Sequence, residues 1–141
     1  MRRSKAIHRR DSGQSLVEFA IVLPILLGLL VGIFEFGVAW NRKQVLTNAA
    51  REGARAAVLQ SVATDTDVDA VVDPYLTSAG IDPDAVSKSY NNVGGSTGDT
   101  VTIQLQMNHT MPFISAITGF LADSPTAGAV TLTSVVNMRH E

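Results

Sequence analysis

Three groups of residues in this 141-residue chain have types and spacings that invite chemistry, and two of them fail on their neighbours. Asp65, Asp67 and Asp69 alternate as at the start of a calcium loop. The sixth position of that loop is Ala70 rather than glycine and the twelfth is Leu76 rather than glutamate, which excludes an EF-hand. Acids crowding the first turn of a helix explain them equally well. Gly94, Gly95 and Gly98 are followed by no Lys-Ser/Thr pair, so they make no phosphate loop. His8, His109 and His140 lack metal-ligand spacing. The chain has no cysteine, hence neither a disulfide framework nor a thiol nucleophile. Asn108-His109-Thr110 is a formal glycosylation sequon, with meaning only in a host that uses it. No residue set supports catalysis, a cofactor or a metal, and the expectation is a protein that is not an enzyme. The third group is Gly13-Gln14-Ser15-Leu16-Val17-Glu18-Phe19, where a glycine stands at a junction and a carboxylate lies one step inside an apolar run.

That junction joins two opposed segments. Before it, Arg2, Arg3, Lys5, Arg9 and Arg10 are offset only by Asp11. After it, residues 19–40 are apolar apart from one charge at Glu35. As a helix rising ~1.5 Å per residue, this stretch reaches ~33 Å, enough for a hydrocarbon core of ~30 Å. The formal charge of -2 hides this asymmetry: residues 1–13 carry five positive and one negative side chains, and the remainder six positive and twelve negative. A basic arm before a span reads as a cytoplasmic anchor, which leaves no need for a nucleic-acid partner. An export signal would have an apolar region of about 7–15 residues and a small-residue cleavage site. Here the uncharged run is longer, and Val38-Ala39-Trp40-Asn41-Arg42 lacks that site, so the span is expected to remain. Within it, Gly28 and Gly32 form a G-x-x-x-G pair of the kind that lets helices approach closely, although glycine is common in membrane helices in any case. Pro24 should kink or loosen the helix. Glu35, near Trp40, Arg42 and Lys43, is expected to be solvated at the far interface.

The chain resembles the TadE-like pseudopilins of the tight-adherence (Flp, type IVb) pilus system. The resemblance rests on Gly13, on Glu18 five residues later with an aromatic beside it, and on the block Asn41-Arg42-Lys43-Gln44-Val45-Leu46-Thr47-Asn48-Ala49-Ala50-Arg51-Glu52-Gly53-Ala54-Arg55-Ala56-Ala57. The ending, residues 131–141, is similar to the family's terminal strand. Type IVb signals are often Glu-Tyr, and here the pair is Glu18-Phe19, so a hydroxyl is missing. The resemblance implies cleavage between Gly13 and Gln14 by a prepilin peptidase, and association with other pilins and pseudopilins, the pilus assembly platform and the membrane. Glu18, with Phe19 beside it, is expected to act in assembly, and Gly28 and Gly32, from their spacing, in helix packing. Cleavage would leave an α-ammonium on Gln14, with a pKa of ~8, as a partner for Glu18 within one subunit or between neighbours. The alternative is an uncleaved, membrane-anchored extracytoplasmic accessory or binding domain.

The elements that must carry these residues follow from periodicity. Four regions are expected: a basic cytoplasmic leader (1–13), a transmembrane helix (14–40), an extracytoplasmic extension of it (41–61) and a small α+β domain (62–141). In the extension, Val45, Ala49, Gly53, Ala56 and Ala57 form a stripe of low relief, with Arg51, Glu52 and Arg55 opposite. Val68, Val71, Val72, Tyr75, Leu76 and Ala79 mark one face of a second helix, which Pro74 should kink or split and Gly80 should end. Strands are expected over residues 85–90, 100–108 and 129–138, the second from strict alternation of Val101, Ile103, Leu105 and Met107 with polar residues. A glycine-rich hairpin loop separates the first two, and residues 111–121 suit a short helix. The fold class is thus α+β: a long N-terminal helix, a second helix and an antiparallel sheet of about three strands.

Overall fold

The computed structural model describes residues 8–59, 64–122 and 128–140. Residues 1–7 of the basic leader, including Arg2, Arg3 and Lys5, and residues 60–61 of the helical extension lie outside the described residues.

Helix α1, His8–Ala57, runs unbroken through 50 residues. Its residues 19–34 are all apolar, and backbone groups in such a segment are best paired within a helix. Pro24 lies inside α1 without ending it, since the ring removes only the hydrogen bond to one carbonyl a turn earlier. Beyond residue 43 the density of alanine favours helix over any alternative. The environment changes abruptly at Glu35. Leu16, Ile25 and Phe34 are about 70% exposed, whereas Glu35, Ala39, Leu46, Ala49, Ala50, Ala54 and Ala57 are buried. The buried stripe is centred on Leu46, Ala50 and Ala54, rotated slightly from the expected one, and Val45 and Ala56 sit at its margins.

Helix α2, Asp65–Ser78, starts at a capping box: Thr64 accepts from the Asp67 amide, and the Asp67 carboxylate accepts from the Thr64 amide. The alternating acids therefore have structural duties. Asp67 caps the helix, Asp69 accepts from the Tyr90 hydroxyl at 2.7 Å, and Asp73 accepts from Lys88 at 2.5 Å. Lys88 also lies 3.3 Å from Asp69. Burial opposes the Lys88 charge, but hydrogen bonds to Asp73 and Asp69 hold its ammonium above the ordinary lysine value. Burial, with Asp69 adding to it, pushes the Tyr90 phenol up as well. Of the kink or split expected at Pro74, the split does not occur: α2 is one helix, with Pro74 and the freed Ala70 position both exposed. Val68, Val72 and Leu76 are buried, whereas Val71 and Ala79 face outward. Gly80, at φ 72°, turns the chain out of the helix, and the Ile81 amide reaches back to the Leu76 carbonyl.

Strands β1 (Val86–Asn91), β2 (Thr100–Thr110) and β3 (Ala129–Arg139) form an antiparallel sheet in the order β1-β2-β3. The register sets Met107 against Val86 and Leu132, and Ile103 against Tyr90 and Val136. Along β2 the residues Val101, Ile103, Leu105 and Met107 are buried and form the inner face on which α1 and α2 pack. The architecture is therefore two helices over one face of a three-stranded sheet, as expected, with the first helix projecting far beyond it. Helix α3, Pro112–Ala122, connects β2 to β3.

Candidate functional site at the junction of span and domain

The processing and assembly residues foreseen in the sequence all lie on α1, and the fold does not gather them into one cluster. Gly13, Gln14, Glu18 and Phe19 are exposed. The Gln14 side chain donates to Glu18 at 3.1 Å across one helical turn, and a Cβ added at Gly13 would meet nothing within 4 Å. The side chains of this segment are thus accessible, while its peptide bonds lie within α1. Gly28 is different: a Cβ there would lie 3.5 Å from the Phe113 ring of α3, while one at Gly32 would meet nothing within 4 Å. One glycine of the pair is thus covered from within the same chain.

The residue that sequence reasoning missed is Glu35. It is not a solvated interfacial carboxylate. It is buried, and its two oxygens accept from the backbone amides of Phe113 at 2.5 Å and Ile114 at 3.2 Å. The physical cause is a pair of mutual deficits. The first amides of α3 have no partners inside their own helix, and the side chain of the preceding Met111 has no oxygen with which to cap them. A carboxylate in an apolar segment, for its part, is costly unless it is hydrogen-bonded. The positive end of the α3 dipole adds to the match. A proline at a helix start, far along a chain that holds a lone carboxylate in its apolar run, is the sequence signal for this pairing.

Directly above Glu35 on α1, the Phe36 and Trp40 rings stack with centroids 6.2 Å apart. Next come two cations pinned to the sheet. Arg42 donates to His109 Nδ1 at 3.2 Å, and Lys43 donates to the Thr133 carbonyl. Ser134 donates to the Thr47 hydroxyl at 3.3 Å. Thus β2 descends along α1 from the level of Gly53 to that of Glu35, α3 turns at the bottom, and β3 climbs back past Lys43 and Thr47.

Burial lowers the His109 pKa below 6.5, the Arg42 charge lowers it further, and Glu35 acts in the opposite sense. Arg42 donates to a ring nitrogen that must be free to accept. The unfolded chain therefore binds more protons here, and the stability due to His109 is fully present above about pH 6.5 and is lost as pH falls below it through the folded value. We expect the thermal midpoint of the detergent-solubilised protein to fall over that window more steeply than that of His109→Gln. Parallel pH profiles for the two proteins would exclude this role.

Residues 13–55 match the family model of TadE-like proteins. The match lies wholly within α1. The TadE-like segment opens at Gly13, contains the exposed apolar stretch and Glu35, and ends within the stripe that builds the domain core. The resemblance read from the sequence therefore holds over α1, while α2, the sheet and α3 lie beyond the match. No curated protein and no solved structure matches the chain.

Proposed function

We propose that this chain is a pilin-like subunit of the tight-adherence (Flp, type IVb) pilus system, cut after Gly13 by a prepilin peptidase and acting by assembly rather than by turnover. The observation that carries the reading is the TadE-like match beginning at Gly13, on a helix whose following apolar residues are left bare by the chain's own fold. A helix of this length and composition is able to cross a membrane, and it offers an uncovered surface to other pilins and to the assembly platform. The basic arm stays in the cytoplasm and the domain lies outside it, since five cations precede the span and only Arg42 and Lys43 immediately follow. Cleavage exposes a Gln14 α-ammonium one turn from Glu18, the distance over which their side chains already meet.

The test is the mass and N-terminal sequence of the membrane-extracted protein from cells with an active peptidase. The mature chain should begin at Gln14, and Gly13→Trp should accumulate as uncut precursor, because the side chain obstructs a cut site that needs a small residue. Wild-type protein that retains the arm would make it a permanently anchored accessory domain instead. Protease added to spheroplasts should digest the domain. Its protection would reverse the topology.

A further inference from the structure

We infer that α3 is a membrane-embedded helix, immersed in the leaflet on the domain's side of the bilayer and lying beside α1. The inference rests on the reading that α1 spans the membrane. Three observations carry it.

The first is depth. If Trp40, stacked on Phe36 and followed by Arg42 and Lys43, marks the headgroup level as such aromatic and basic belts do, then Glu35 lies ~7.5 Å below it along the helix. The first amides of α3 are bonded to Glu35. The Phe113 ring reaches the level of Gly28, ~18 Å below Trp40. With Trp40 at the interface, the first turn of α3 lies below it.

The second is surface chemistry. Helix α3 has the sequence PFISAITGFLA, without a charged residue. Pro112, Ala116, Ile117 and Gly119 are exposed, and all are apolar. Key polar groups of α3 are paired within the chain: the Thr118 hydroxyl donates to the Ile114 carbonyl at 2.7 Å, and the Phe113 and Ile114 amides are taken by Glu35. Paired polar groups under an apolar surface are what a hydrocarbon solvent demands.

The third is attachment. The β2–β3 ladder continues to the pair Thr110 and Ala129, and the Met111 amide then bonds the Gly128 carbonyl at 2.9 Å. Gly128 has φ 98°, and a Cβ there would fall 2.5 Å from the Ser115 amide nitrogen. The hairpin is thus closed tightly under the first turn of α3 and holds it at this depth. Eleven residues rise only ~16 Å, too short to cross, so α3 enters one leaflet and returns. The occupant of its exposed face is lipid acyl chain.

The experiment uses the full-length protein in phosphatidylcholine–phosphatidylglycerol vesicles. Trp40 is the single tryptophan, so Trp40→Phe gives a silent background. Reporters are placed as Ile117→Trp on α3, Leu26→Trp on the span and Val135→Trp on the outer face of β3, and each is quenched with lipids brominated on the acyl chain or with aqueous iodide. We expect the Ile117→Trp reporter to be blue-shifted and to lose emission to acyl bromine as fully as Leu26→Trp, while Val135→Trp responds to iodide alone. Quenching of Leu26→Trp but not of Ile117→Trp by acyl bromine overturns the immersion of α3 and leaves the span intact. An Ile117→Trp reporter shielded from both quenchers also overturns it, and points to a second copy of the chain covering α3. Failure of Leu26→Trp to respond removes the spanning reading itself.

Discussion

Replacing Gly53 by alanine destabilises the folded domain, against the usual direction of a glycine-to-alanine change in a helix. At an open helical position that change gains up to ~1 kcal/mol from backbone propensity. At Gly53 the added Cβ would lie 2.8 Å from Val72 Cγ2 and 3.2 Å from Val68 Cγ1, with Ile103 Cγ2 at 3.8 Å. Both valines are β-branched residues on α2 with essentially one comfortable rotamer each, so neither side chain can swing away, and α2 as a whole must retreat. Overpacking of this kind costs ~1–3 kcal/mol. The packing term outweighs the propensity term, and the melting temperature should drop by several degrees, since ~1 kcal/mol shifts a domain of this size by ~4–8 °C. Thermal unfolding followed by circular dichroism gives the sign. Gly53→Leu should prevent folding altogether, while Val72→Ala in the Gly53→Ala background should recover part of the loss, a coupling that only direct contact produces. A higher melting temperature for Gly53→Ala would show that the two helices do not meet there.

Replacing Glu35 by leucine releases α3, although it makes α1 more apolar. Hydropathy alone favours the change, because a charged residue at the centre of a span costs on the order of 2.5–3.5 kcal/mol and one nearer the interface costs part of that. The structure sets two buried amides against that gain. With leucine at position 35, the Phe113 and Ile114 amides lose both carboxylate oxygens, and each unpaired buried group costs ~1–3 kcal/mol. Membrane insertion of Glu35→Leu should therefore be normal or improved, while hydrogen exchange at the amides of Phe113 and Ile114 should rise by orders of magnitude. Glu35→Gln keeps one acceptor and should fall between. If both amides stay protected in Glu35→Leu, Glu35 is not their cap.

Much of this fold was legible because its strongest signals are local. Strict alternation placed β2, which runs on two residues further, to Thr110, and the acids before Val68 placed the start of α2. The phase of α1 was harder. Between Gln44 and Ala57 almost every residue is small or apolar apart from Arg51, Glu52 and Arg55, so several neighbouring stripes fit. The core took the one led by Leu46, the bulkiest apolar side chain available. Pro74 misled because a proline breaks a helix only where its lost hydrogen bond matters, and here it falls on the wet side. Glu35 was misread for a deeper reason. Its partners stand 78 and 79 residues away in the chain, and no periodicity links them. The same holds for the depth of α3: its helix was foreseen from composition, but only the descent of β2 along α1 shows where it lies.

The continuity of α1 has a rotational consequence. Glu35 and Gly53 are separated by 18 residues, about five full turns, so the carboxylate that grips α3 and the glycine that admits α2 share one azimuth on a single shaft. The helix acts as a key cut at two heights. Adding or removing one residue between them twists one contact away from the other by ~100°, and adding a whole number of turns restores the angle but displaces the height by ~5.4 Å per turn. The apolar portion of α1 and the domain are therefore locked in both angle and elevation, and whatever grips the lower shaft turns the whole molecule.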